Sequence, residues 1–160
     1  MKQTTEEQAL NRLEAMCAKA EHCMAEAQAK MRQWGLTPDA QQRVAERLTA
    51  NGYIDDARYA HALASDKARY DRWGPRKIGQ ALYAKRIDQQ AIDDALADIP
   101  HELHLNNLRH LLAAKRRDLG RKTSDQYELY AKLVRFALGR GFDMDDIRRC
   151  IGDDGGDCGD

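Results

Sequence analysis

Apolar residues recur along this chain at helical spacing, in short stretches parted by turn signals, and no stretch alternates with the period of a strand. From Glu6 to about Gln33 the run of Ala, Glu, Lys and Met predicts two helices, the second ended by Gly35. Thr37-Pro38 then opens a third helix bearing Val44 and Leu48, because a threonine hydroxyl accepts from first-turn amides and proline suits the first helical position. Asn51-Gly52 terminates it. Asp55 caps a fourth helix with Tyr59 and Leu63, and Gly74-Pro75 breaks the chain before a fifth with Ile78 and Leu82. Asp88 caps a sixth with Ile92 and Leu96, and Pro100 opens a longer seventh with Leu105, Leu108, Leu111 and Leu112. The last two run from about Asp125 to Leu138 and from Asp143 to Ile151.

An internal repeat underlies these helices. Ile54, Tyr59 and Leu63 stand at offsets 0, +5 and +9, as do Ile87, Ile92 and Leu96, and Phe142, Ile147 and Ile151, each set with Asp at +1. The pattern is that of an apolar staple closed over a capped helix start. Turns at Gly35-Leu36, Arg86-Ile87 and Gly141-Phe142 echo it about 50 residues apart. The reading is three units of three helices, residues 1–52, 53–99 and 100–151, followed by a Gly/Asp tail over 152–160 whose composition predicts disorder. The blander alternative is that capped amphipathic helices resemble one another anyway.

Composition sharpens the fold class. Leu, Ile, Val and Phe supply only 27 of 160 residues, while Ala, Glu, Lys, Leu and Arg supply 74 and the β-branched Val, Ile and Thr only 14. With 26 basic residues balancing 26 acidic ones, the chain lacks the net charge that keeps a low-hydrophobicity sequence unfolded. An all-α array is expected, each helix burying a narrow stripe on its neighbours. No apolar run approaches the roughly 20 residues of a membrane helix, and Met1-Lys2-Gln3-Thr4-Thr5-Glu6-Glu7 carries no hydrophobic signal, so the expectation is a cytoplasmic protein. Cys17, Cys23, Cys150 and Cys158 form no CxxC pair and read as reduced structural thiols.

Candidate chemistry is sparse. Gly74 to Ala81 has two glycines at phosphate-loop separation, but Gln80-Ala81 stands where Lys and Ser or Thr are required. His101-Glu102-Leu103-His104 misses the HExxH spacing, and its histidines read as polar residues on an exposed helix face. Ser65 and Ser124, the only serines, read as surface or capping residues. No enzyme, cofactor or metal is indicated.

Local charge says more than the zero balance. Between Lys67 and Arg86 seven basic residues face only Asp71, and between Arg109 and Lys122 six face only Asp118. If these blocks line one face they form a positive groove for phosphates or an acidic protein surface, and Tyr70 and Trp73 add planar groups for stacking or anchoring. The plain alternative is that the basic residues solvate helix C-termini. The four aspartates of the tail suit a solubilising extension, or a segment that folds back on the basic face.

The segments Gly52-Tyr53-Ile54-Asp55-Asp56-Ala57-Arg58-Tyr59-Ala60, Trp73-Gly74-Pro75-Arg76-Lys77-Ile78 and Ile87-Asp88 resemble the RecX family of bacterial regulatory proteins. Leu133-Val134-Arg135-Phe136-Ala137-Leu138-Gly139-Arg140-Gly141-Phe142 with Ile147 is similar to that family's closing repeat, and Glu21-His22-Cys23 and Leu36 match its first repeat in layout. The resemblance implies tandem three-helix repeats in an elongated, curved array. It implies non-catalytic binding to the RecA recombinase, chiefly its filament on DNA, lowering ATP hydrolysis and strand exchange. The family supplies no catalytic residues, so the contact candidates rest on charge: Arg69, Arg72, Arg76, Lys77, Lys115, Arg116, Arg117, Arg121 and Lys122, with Tyr70 and Trp73. Single- or double-stranded DNA is a further expected partner, and a monomer the expected state. The competing reading is a direct DNA binder of helix-turn-helix type, motivated by short turns such as Ala50-Asn51-Gly52 and by the Arg/Lys density.

Overall fold

A computed structural model describes residues 3–152 of the protein. The described residues form nine helices and no strand: α1 (Glu6–Lys19), α2 (Met24–Gln33), α3 (Pro38–Ala50), α4 (Asp56–Arg69), α5 (Pro75–Ala84), α6 (Gln89–Ala97), α7 (His101–Gly120), α8 (Gln126–Gly139) and α9 (Met144–Ile151). The Gly/Asp tail read from the sequence lies, from residue 153 on, outside the described residues.

Of the caps read from the sequence, those at Thr37 and Asp55 form, and Thr5 and Asp125 add two more. Thr5 accepts from the Gln8 amide at 3.1 Å and Thr37 from the Ala40 amide at 3.2 Å, while Asp55 accepts from Arg58 at 3.1 Å and Asp125 from Tyr127 at 2.9 Å. Each satisfies an amide that the first helical turn leaves without a partner. Asp143 occupies the cap position of α9 but makes no side-chain cap bond, its carboxylate lying 3.7 Å from Arg76 Nε.

Helix ends follow one device. At four turns the second residue after the helix is left-handed, namely Gly35, Gly52, Arg86 and Gly141, with φ of 79°, 75°, 58° and 94°. The next residue, Leu36, Tyr53, Ile87 or Phe142, then donates its amide hydrogen to the carbonyl five back: Met31, Leu48, Leu82 or Ala137. This two-bond closure satisfies orphan carbonyls and folds an apolar side chain under the helix just ended. Glycine adopts such a φ freely, whereas Arg86 holds it at a cost of roughly 1–2 kcal/mol.

Packing divides the described residues into two compact units, one running through Ala62 and including Leu82–Ile92, the other Leu63–Ala81 with the chain from Asp93 on. In the first, α3 packs on α1 and α2 around Leu10, Leu13, Met31, Val44, Leu48 and Ile54. The second is centred on α7, α8 and α9, where Leu105, Leu108, Leu133, Phe142, Ile147 and Ile151 are buried. The buried Asn107 amide donates to the Ala68 carbonyl at 2.8 Å, completing a backbone acceptor at the end of α4.

Cross-helix capping ties the first unit further. Asp56, the opening residue of α4, accepts from the Met24 amide at 2.8 Å, so its carboxylate closes the N-terminus of α2. Glu26 reaches back to the Cys23 amide at 3.1 Å. Burial pushes the Glu26 carboxyl up, but that amide, Lys85 and His22 outweigh it and leave the group below its ordinary range.

Candidate functional site

The first basic block is organised around Trp73. After α4, Arg72 takes a left-handed φ of 53° and Trp73 donates its amide hydrogen to the Lys67 carbonyl at 3.0 Å, turning the indole back alongside the helix. Lys67 Nζ then lies 4.6 Å from the ring centroid, and Lys77 Nζ, from the first turn of α5, lies 4.3 Å from it. The electron-rich ring face attracts both ammonium groups, each such contact contributing about 0.5–1 kcal/mol at an exposed site. Lys67 is also paired with Asp71 at 2.9 Å. The two aromatics singled out by sequence thus differ: Trp73 is half-buried and already engaged by lysines, whereas Tyr70 is 79% exposed.

The loop beyond Trp73 docks on the turn between α8 and α9. Gly74 donates to the Arg140 carbonyl at 2.8 Å and Arg76 to the Gly141 carbonyl at 2.9 Å. A Cβ on Gly74 would strike the backbone of Gly141, and one on Gly141 would strike Lys77, so this approach requires glycine at both positions. The Arg140 guanidinium lies 5.8 Å from the Phe136 ring centroid, and Lys115 Nζ from α7 lies 5.1 Å from the same centroid.

This geometry joins part of each basic block. Arg76 and Lys77 reach the Arg140–Gly141 turn, and Lys115 and Arg140 each lie within 6 Å of the Phe136 ring centroid. Lys115, Arg116 and Arg117 cannot share one face, because successive helical residues lie about 100° apart. Arg116, Arg117, Arg121 and Lys122 are exposed along the end of α7 and just past it, Lys122 lying 3.9 Å from Asp118. Arg69 is exposed at the end of α4, with its Nε donating to Ser65 Oγ at 3.1 Å, and Arg72 is half-buried. Charge counting missed Arg140 and Phe136. Their i, i+4 spacing in a helix was the available signal.

The exposed-face reading of the two histidines holds for His101, which is exposed, and fails for His104. His104 is only 4% exposed, and neither ring nitrogen has a hydrogen-bond partner among the described residues. Its place on α7 turns it inward with Leu105 and Leu108, and burial holds its pKa below the ordinary value. His101 Nε2 instead lies 2.9 Å from Asp146 Oδ1 of α9. No group of three or more His, Cys, Asp or Glu able to hold a metal occurs among the described residues. Burial raises the thiol pKa of both Cys17 and Cys23, which suppresses the reactive thiolate. No described helix is long and apolar enough to cross a membrane.

Two family descriptions match this arrangement of helices and turns: "RecX, second three-helix domain" over residues 55–96 and "RecX, third three-helix domain" over residues 102–151. The chain belongs to the RecX family. A "Regulatory protein RecX" of Pseudomonas fluorescens is 32% identical over 136 residues, covering 85% of this chain and 84% of the relative. One of Clostridium perfringens is 32% identical over 116 residues, covering 72% of this chain but 54% of the relative, so the chain spans about half the length of that RecX protein. The crystal structure of RecX from Lactobacillus salivarius superposes with a TM-score of 0.83 at 20% identity, covering 91% of this chain and 94% of that one, and shows the shared all-α fold. RecX membership supports a regulatory role, and the Trp73–Pro75 loop and the Arg140–Gly141 turn fall within the two matched segments.

Proposed function

We propose that this protein regulates the RecA recombinase by binding it, chiefly as its filament on DNA, and lowers its ATPase and recombination activity without chemistry of its own. The observation that supports this reading is the approach of part of each basic block through the docked loop, in which Gly74 and Arg76 bond to the Arg140–Gly141 turn while Lys115 and Arg140 both contact the Phe136 ring. A cationic surface held by backbone hydrogen bonds and ring contacts presents its charge with little ordering cost on binding. It suits an acidic protein surface or the phosphates of a filament. Arg76, Lys77 and Lys115 form the centre, with Arg69, Arg72, Arg116, Arg117, Arg121 and Lys122 as flanking contacts and Tyr70 as an exposed anchor. The protein acts in the cytoplasm as a monomer, with helices grouped in threes over 1–52, 53–99 and 100–151.

The test is the single-stranded-DNA-dependent ATPase of RecA titrated with the native protein and with an Arg116→Glu/Arg117→Glu variant. Inhibition is expected at substoichiometric protein and weakens in the variant. An ATPase unchanged by equimolar excess refutes the proposal, and tight sequence-selective binding to bare DNA supports a helix-turn-helix reader instead.

A further inference from the structure

The first compact unit contains a second cationic feature, apart from the site just described. A cleft of about 480 Å³ lies between α2 and the turn from α5 to α6. Ala25, Ala29 and Ala84 give it a small apolar lining, and Lys30, Arg32, Lys85 and Arg86 contribute four positive charges against Glu26 alone. Lys85 Nζ lies 3.4 Å from Glu26 Oε2, a long and partly exposed ion pair of the kind that holds a lysine weakly and leaves it able to share a second carboxylate. Glu26 is meanwhile held by the Cys23 amide.

Arg86 is the telling residue. It occupies the left-handed position that glycine fills in the equivalent turns at Gly35, Gly52 and Gly141. Its amide bonds to the Tyr83 carbonyl and that of Ile87 to the Leu82 carbonyl, as glycine there would allow without strain. The strained backbone therefore contributes nothing to closing the helix that glycine would not, and what arginine adds is a cationic side chain on a residue that lines the cleft.

We propose that this cleft is a docking site for an acidic peptide segment of a protein partner, bound by Lys30, Arg32, Lys85 and Arg86. The chemistry favours peptide over nucleic acid. Single-stranded nucleic acid is bound along a groove that tracks its backbone past stacking aromatic rings, whereas this open cleft is lined by alanines, lysines, arginines, Gln33 and the Glu26 carboxylate, with no aromatic side chain among its lining residues. Alanine side chains accommodate the methylenes of glutamate, and arginine forks match carboxylates. None of these residues belongs to the Trp73–Phe136 site, so the two proposals fail separately.

The experiment is fluorescence anisotropy on the full chain with a fluorescein-labelled dodecapeptide of alternating Glu and Ala, beside a labelled oligothymidine of the same length. Saturable peptide binding is expected, weakened about tenfold or more by Arg86→Gly and by Lys30→Gln/Arg32→Gln, and unaltered by Arg116→Glu/Arg117→Glu. Arg86→Gly relieves the left-handed backbone, so its Tm is expected to equal or exceed the native value, which separates lost binding from lost folding. Absence of saturable peptide binding, or equal loss with the Arg116/Arg117 variant, overturns the proposal. Tighter oligothymidine binding lost in the cleft variants would make the cleft a nucleic-acid site and overturn it as well.

Discussion

Gly74 and Arg140, 66 residues apart in the chain, are joined by a backbone hydrogen bond of 2.8 Å that seats the Trp73–Arg76 loop against the turn after α8. The bond is made possible by what both turns lack. Gly74 has no Cβ to meet the Gly141 backbone, and Gly141 none to meet Lys77.

Gly74→Ala is therefore expected to destabilise the protein by about 1–3 kcal/mol, the cost of forcing atoms into a close-packed contact. Gly120→Ala is the matched control, because a Cβ there meets nothing within 4 Å and lies in a helix. It should be neutral or stabilise by up to about 1 kcal/mol. Urea unfolding monitored by circular dichroism compares them, and equal behaviour of the two alanines would contradict the docked loop.

Asp56 caps a helix other than its own. Asp56→Ala removes the acceptor for the Met24 amide and should cost about 1 kcal/mol, with α2 loosening first. Asp55→Ala should cost a similar amount but open the start of α4, through Arg58. Hydrogen exchange distinguishes them, the Met24 amide losing protection only in the first variant.

Phe136 holds two cations of the proposed RecA contact. Phe136→Leu keeps an apolar side chain but removes the ring face beneath Lys115 and Arg140. It is expected to leave the fold intact while raising the concentration needed for half-inhibition of the RecA ATPase several-fold, about 1 kcal/mol of lost preorganisation. An unaltered inhibition curve with an unaltered Tm would remove Phe136 from the site.

His104 gives the stability a direction with pH. Burial lowers its folded-state pKa below the ordinary 6.5, so the unfolded chain takes up this proton first as pH falls. The favourable contribution is thus fully present above about pH 6.5 and declines as pH drops from there toward the lower folded-state value. His104→Leu, which sacrifices no hydrogen bond to the ring among the described residues, should flatten the fall in urea midpoint between about pH 6.5 and 5. A slope identical to the native one would exclude His104 as its source.

Much of the fold was legible because its determinants are local. Thr37-Pro38, Asp55 and Asp125 act on amides within three residues, and the glycines at 35, 52 and 141 act on carbonyls within five. The buried Ile92 and Ile147 follow from helical spacing, and Ile54 from its place before the capped start of α4. His104 was misread as exposed because polarity assigned it to the solvent face, although its i, i+4, i+8 spacing with the buried Leu108 and Leu112 sets it on the packed face of α7. The site was legible only as a tally of charge. Which lysine faces Phe136, and that Arg140 joins it, depend on a contact between α7 and α8.

The sequence alone determined the helices, their order and their local caps, since hydrogen bonds spanning three to five residues and helical periodicity do not depend on distant chain; the closure of α2 by Asp56 is the exception. Tertiary structure decided which cations act together. Lys77, Arg140 and Lys115 are separated by tens of residues, and only the close backbone approach of Gly74 to Gly141 and the helix contact over Phe136 bring them to one place. Likewise, Arg86 reads as one more basic residue until its left-handed φ of 58° shows the turn retaining a guanidinium where glycine would be the unstrained choice.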